Sequence, residues 1–539
     1  MKSPLEKPEM LMLTTSTFKV DSSAFFCVKK RIRRLCMIPT ILKGEETKST
    51  SKDVLRDLKL DQILEYFSSD NESSLIRDVF LKPLKKKENI MFRQNIMKDF
   101  ENIEFRIKIQ RFIRDFKETQ NAIRKLEHIT NDKLNLMECS LILHEAYKYC
   151  DEIENLVEIV HTYCISGGMR DVFEKLNAYV QGDTFSKLKE SVKILYEKFE
   201  QIDFCMVIKD GSFKIRPYEN EKSINSEMER LFSRFQEQES RTEKIDKTMI
   251  RNAGHIDEAV LVMLSRWYPE EFGLVKKFAT ENRNFINGGI INFINEAEFY
   301  IKWQNMIEPL KQAGLSFCYP IYEENGEVYC EEGYDLALSI ELLKGDRKVI
   351  PNSFHLSPEE RMVVVTGPNQ GGKTTFARYF GQVFYLAALG CTIPGTKAKL
   401  KCFDEIYTHF EKEETKEEGS GKLQDDIQRL YSIVSNVTEK SIVVINEIYS
   451  STTLQDALFL GKKMMEEISQ KGCTVVCVTF LDELAEFDEH TVSMMSTVEE
   501  KSGRRFYKII RKPADGTAYA MSLAEFYGLD YETLKRRIR

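Results

Sequence analysis

From Leu55 to about residue 200 apolar positions recur three and four apart, as at Leu156, Val157, Ile159 and Val160, with almost no Gly or Pro between them. That spacing predicts amphipathic helices arranged as a bundle or a set of long levers. Phe204–Ile208 and Phe213–Ile215 flank the turn residues Lys209-Asp210-Gly211-Ser212, which predicts a β-hairpin inserted among the helices. The charged stretch 219–247 predicts exposed helix or coil, and helical spacing resumes from His255 to about Ala313, including Trp267 and Trp303. Near Gly314 the texture changes to shorter apolar runs with more Gly and Pro, beginning with the strand-like Leu315–Tyr319. Met362–Val365, Ser441–Ile445 and Val475–Thr479 are continuous apolar runs separated by helical segments, which predicts a central, largely parallel sheet. The pattern therefore divides the chain into a partly ordered arm at 1–50, with a short apolar patch at Ala24–Val28, a helical domain at 51–312 with a hairpin near 204–215, and an α/β domain at 313–539. The fold class expected is α+β, multidomain.

Composition narrows the function classes. No apolar run approaches the ~20 residues needed to span a bilayer, and the N-terminus lacks a signal-peptide core, so no membrane partner is expected. The twelve cysteines are scattered and the seven histidines form no ligand pattern. Both facts point to a reducing cytoplasm and away from a disulfide framework or structural zinc. A net charge of −7 argues against a surface coated for nucleic acid. Basic runs at Lys29-Lys30-Arg31, Lys85-Lys86-Lys87 and Lys535-Arg536-Arg537 read first as solvated surface.

The most specific chemistry lies at Gly367-Pro368-Asn369-Gln370-Gly371-Gly372-Lys373-Thr374-Thr375, which fits G-x-x-x-x-G-K-[ST] between a predicted strand and a predicted helix. Glycines let the backbone wrap close to phosphate oxygens, so main-chain N–H groups and the helix N-terminus face the anion. Lys373 is placed to reach the β- and γ-phosphates, and the Thr374 hydroxyl to take a Mg²⁺ position. ATP with Mg²⁺ is the expected ligand. Ser441–Ile445 runs into Asn446-Glu447, a polar strand end where such enzymes order the metal shell and activate water. Glu447 is the candidate general base, and Asn446 offers Mg²⁺ an acceptor oxygen without a charge. Gly419-Ser420-Gly421, after the acidic run 411–418, opens a predicted helix at 422–430, so Ser420 is a candidate phosphate contact.

Thr366-Gly367-Pro368-Asn369-Gln370-Gly371-Gly372-Lys373-Thr374-Thr375 resembles the T-G-P-N-x-G-G-K-[ST]-[ST] loop of the MutS family of DNA mismatch-repair ATPases. The order of a Gly/Ser corner, the Glu447 strand and the Thr479 strand agrees with that family. Tyr519-Ala520-Met521-Ser522-Leu523-Ala524 before Gly528-Leu529 is similar to its closing dimerisation helix. Leu75-Ile76-Arg77, Phe80–Leu84 and Arg93–Ile96 are similar to the start of its lever domain, and the 204–215 hairpin falls where the family inserts a DNA clamp. The resemblance covers residues 55–539, strongly beyond 310. It implies an N-terminal helical lever and clamp followed by a P-loop ATPase domain that sandwiches ATP between two subunits, with Ser420 serving the partner's site. Only residues 1–50 precede the lever, which implies a branch lacking the mismatch-recognition and connector domains. The Phe-x-Glu hits at 116–118 and 235–237 lie in charged helical segments, outside a mismatch-reading context. Asn446 stands where the family has Asp, Phe480 where it has a phosphate-sensing His, and Gly421 where it has Ser.

Two readings stay open. One is a homodimeric, ATP-hydrolysing clamp on duplex, branched or mismatched DNA, in repair or recombination. The other is an ATP-gated protein-interaction scaffold of the same superfamily. Asn446 and Phe480 also suggest a switch with little turnover, which Glu447 argues against.

Overall fold

The computed structural model describes residues 38–68, 74–130, 133–209, 212–217, 255–343, 345, 348–411, 422–449, 451–498, 505–514 and 531–538. In chain order, α1 (Lys52–Asp57), α2 (Leu60–Phe67), α3 (Ser74–Phe80), α4 (Lys87–Asp99), α5 (Ile103–Arg124), α6 (Leu136–Tyr163), α7 (Gly167–Val180) and α8 (Asp183–Glu200) precede the hairpin β1 (Phe204–Lys209) and β2 (Ser212–Pro217). Helices α9 (His255–Trp267), α10 (Pro269–Glu281) and α11 (Gly288–Gln312) come after the hairpin. Short strands β3 (Phe317–Cys318), β4 (Ile321–Tyr322) and β5 (Val328–Gly333), helix α12 (Leu336–Leu342) and β6 (Asn352–Leu356) come next. The remainder is β7 (Met362–Thr366), α13 (Lys373–Ala388), β8 (Ile393–Pro394), β9 (Lys397–Leu400), β10 (Ile406–Phe410), α14 (Lys422–Asn436), β11 (Ile442–Asn446), α15 (Leu454–Lys471), β12 (Thr474–Val478), β13 (Thr491–Val498), β14 (Arg505–Arg511) and α16 (Tyr531–Ile538). The molecule is mixed helix and sheet, α+β.

The expected helix over 255–313 is three helices. Pro269 lacks an N–H and disfavours helical backbone at Tyr268, so the chain breaks there and restarts with Pro269 at the first turn of α10. Asn287 restarts it again, its side chain accepting from the Gly289 N–H at 2.7 Å. Of the strand-like Leu315–Tyr319 only Phe317 and Cys318 pair, with Pro394 and Ile393. The arm at 1–37, the stretch 219–247, the corner 419–421 and the Tyr519–Leu529 tail lie outside the described residues.

The chain forms two compact units that are discontinuous in sequence. The smaller takes the described residues of 1–39, 131–150 and 172–285, and the larger those of 40–130, 151–171 and 286–539. The change of texture at Gly314 thus falls inside the larger unit. In the smaller unit Ile215, Leu264 and Phe272 form a local core with Phe199 and Val260 packed against it. The hairpin pairs Phe204 with Pro217 through Lys209 with Ser212.

The larger unit is built on a six-stranded sheet in the order β10-β11-β12-β7-β13-β14, parallel throughout except for the antiparallel β13–β14 pair. β7, β11 and β12 are buried at every position, which is why they read as unbroken apolar runs. α13 is buried along nearly its whole length, as a helix apolar on all sides must be. The segment before Gly314 supplies part of its cover. Gln382 Nε2 donates to Leu58 O at 2.9 Å and to Asp335 Oδ1 at 2.7 Å, and Tyr385 Oη donates to Phe80 O at 2.7 Å. Buried Arg93 donates to Leu389 O at 3.3 Å, beside the C-terminus of α13. Asp57, at the end of α1, accepts from Thr408 Oγ1 of β10 at 2.8 Å, while Arg378 Nε of α13 donates to its carbonyl at 3.2 Å.

Candidate functional site

The carboxyl ends of β11, β12 and β7 lie side by side, the edge of an open parallel sheet where ligands bind. Each strand delivers one stretch. β7 leads into the loop 367–372, whose close turns rest on left-handed backbone at Gly367 (φ 110°), Gln370 (φ 61°) and Gly372 (φ 93°). α13 starts at Lys373, with Thr374 and Thr375 half-buried in its first turn, while Asn369 and Gln370 are exposed. Pro368 and Gly371 complete the turn, the Gly371 N–H donating to Pro368 O at 3.3 Å.

Lys373 is 4% exposed. Its Nζ donates to Gly367 O at 2.6 Å, Pro368 O at 3.2 Å and Asn369 Oδ1 at 3.3 Å. Burial holds its ammonium below the usual lysine range, opposed by the carboxylates of Glu447 and Asp482. Lys373 and Glu447 are therefore brought to one place. Asp482 joins them from the turn after β12, a residue that no motif in the sequence singles out.

β11 ends at Asn446, and Glu447 follows it directly. Asn446 is 7% exposed, and its Oδ1 has no hydrogen-bond partner among the described residues. Side chains alternate along the strand. Ile445 joins the core formed with α14 and α15, so Asn446 faces the other side of the sheet. Glu447 is half-buried in left-handed backbone (φ 55°), its N–H donating to Val478 O at 2.9 Å. A non-glycine residue held at that φ is unusual, and such strain gathers at working sites. Thr479 is buried and its hydroxyl accepts from the Leu481 N–H at 3.0 Å, whereas Phe480 stands 45% exposed. Ser420 lies outside the described residues. Phe116 of the first Phe-x-Glu hit is a core residue of α5, 1% exposed.

Two further neighbours of the loop are invisible in the sequence. Ser496 on β13 backs Gly367 and Gly371, and the Tyr507 backbone of β14 lies 3.7 Å from where a Cβ on Gly372 would sit. Neither carries a motif; strand order alone brings them in.

Residues 363–537 match the family model for MutS domain V. Over those residues the chain is similar to the MutS family. Its domain V is of an ATP-using family of ATPases. Among curated relatives, the DNA mismatch repair protein MutS of Thermotoga sp. (strain RQ2) is 29% identical over 201 residues, 35% of this chain and 25% of that protein. The DNA mismatch repair protein MutS of Chlorobaculum tepidum is 27% identical over 228 residues, 41% of this chain and 26% of that protein. The protein of the same name from Streptococcus suis is 28% identical over 206 residues, 37% of this chain and 24% of that protein. The chain spans about a quarter of the length of these MutS relatives. Among the described residues no helix is long and apolar enough to cross a membrane.

Proposed function

We propose that this MutS-family chain is a Mg²⁺-dependent ATPase whose glycine-rich loop is a P-loop, and that it acts as a homodimeric clamp on duplex, branched or mismatched DNA. The observation that carries the reading is the convergence of buried Lys373 with Glu447 and Asp482 at the loop, beside the unpartnered Oδ1 of Asn446.

The donor set fits the ligands. The main-chain N–H groups at the start of α13 and the Lys373 ammonium suit a triphosphate. Oxygen donors from Thr374 and Asn446 suit a hard cation that is shared with phosphates rather than caged by protein. Mg²⁺, when bound, neutralises charge on the phosphate oxygens. Gly367, Pro368, Asn369, Gln370, Gly371, Gly372 and Thr375 shape the cradle. Lys373 leaves its loop carbonyls for the phosphates, and Glu447 accepts the proton of the attacking water. Ser420 would reach a partner's nucleotide. The helical part at 51–312 serves as lever and clamp, supported by the docking of the end of α1 and of α3 on α13 and of α4 at its C-terminal end. DNA engagement, a role in repair or recombination, and a cytoplasmic setting are inferred from the MutS relatives and the composition.

Nucleotide binding by a fluorescent ATP analogue tests this reading. Lys373→Ala should weaken binding about 10- to 100-fold, the loss of charge-assisted hydrogen bonds. Glu447→Gln should bind ATP as well as wild type, accumulate as a dimer in sedimentation, and turn over about 10²–10⁴-fold more slowly. Wild-type turnover in Glu447→Gln would remove it as the base.

A further inference from the structure

Ser496 lies on β13, where Met495 pairs with Thr366, the last residue of β7, so Ser496 stands beside Gly367. It is 1% exposed, and its Oγ has no hydrogen-bond partner among the described residues. That oxygen would lie 2.5 Å from a Cβ built on Gly367 and 2.6 Å from one built on Gly371, so it is the wall against which both glycines close. A buried hydroxyl without a partner is rare, because burial strips its water and returns nothing.

The reserved donor has a use at one carbonyl. Gly367 O accepts from Lys373 Nζ at 2.6 Å. If Lys373 turns to a triphosphate, that carbonyl loses its donor at the moment the ligand enters. We propose that Ser496 is a positioning residue for the nucleotide, its hydroxyl taking over Gly367 O as Lys373 leaves for the phosphates. The exchange keeps the first carbonyl of the loop satisfied in both states and fixes the loop N–H groups on the ligand. This inference rests on the ATP-binding reading above.

The test compares wild type, Ser496→Ala, Ser496→Cys, Lys373→Ala and the Ser496→Ala/Lys373→Ala pair, reading ATP-analogue affinity and the Tm of nucleotide-free protein. Ser496→Ala keeps the Cβ and removes only the donor. Its Kd should rise about 5- to 10-fold while its Tm stays level or rises, since an unpartnered group is removed. Ser496→Cys, a weak donor, should fall between. In the Lys373→Ala background Ser496→Ala should cost no further affinity, because no exchange remains to be made. An unchanged Kd with a lowered Tm would make Ser496 a plain packing residue and overturn the proposal. Additive losses in the double variant would overturn the exchange. Wild type that binds no ATP would overturn the ATP reading and this inference together.

Discussion

Lys373 spends three hydrogen bonds on its own loop while two carboxylates face it, so its ammonium is kept available without being locked to an acid. Asn446 is the weaker member of the set: it brings an acceptor oxygen to the strand end but no charge. Asn446→Asp should therefore lower the Mg²⁺ concentration for half-maximal turnover by roughly tenfold. An unmoved Mg²⁺ titration would place Asn446 away from the metal. Asp335 makes a separate residue-scale prediction. Burial raises its carboxyl above the ordinary aspartate value, with Gln382 and the Leu338 N–H pulling the other way. The folded state thus holds this proton more tightly than the unfolded chain. Its stabilising contribution is complete below the unfolded value and is lost as pH rises through the raised folded value. Asp335→Asn keeps the acceptor oxygen and should flatten the fall of urea-measured stability over that window, while leaving stability at the acid end nearly unchanged. An identical pH profile would refute this. Gly367–Thr375 and Asn446-Glu447 are legible in the sequence because each is a contiguous stretch with its own chemistry. Asp482 and Ser496 are not, because the neighbouring places of β12, β7 and β13 are decided by sheet order, which no local pattern encodes.

At the scale of elements, long periodic helices and fully buried strands can be read directly, since repeated apolar positions report a face that must be covered. The short strands β3, β4, β8 and β9 cannot, having two to four residues each and no period to display. The joint between α1 and the sheet is equally invisible. Asp57 ends α1 with a side chain only 3% exposed, accepting from Thr408 at 2.8 Å and from Arg56 at 3.1 Å, with Arg429 of α14 at 4.0 Å. The joint ties α1 to β10 and α13, and so to the helix that begins at Lys373. Asp57→Ala should cost about 1–3 kcal/mol in urea unfolding, because it strands the buried Thr408 hydroxyl. Arg56→Ala, on an exposed partner, should cost under about 1 kcal/mol. Equal losses from the two would show that Thr408 does not matter to the joint.

Across the whole molecule, the compact units do not track the sequence textures. Residues 40–130 belong with the sheet, although they read as one continuous helical stretch with the segment up to residue 200. Helical character is a local property, whereas the partner a helix packs against is set by contacts hundreds of residues away, such as Tyr385 with Phe80. On the proposed clamp reading that grouping matters, because helices α1–α4 share a compact unit with the proposed nucleotide site and would move with it. ATP would then close the molecule only through its greater affinity for the closed state. On the proposed reading ATP hydrolysis is coupled to DNA. Steady-state ATP hydrolysis without DNA, and with linear or branched duplex, at low and moderate salt, tests it most directly, with Glu447→Gln as the blank. Turnover should exceed the blank, be stimulated by DNA and fall steeply as salt rises, as phosphate contacts require. Turnover that ignores DNA at both salts would contradict the clamp and favour a protein-partnered ATPase.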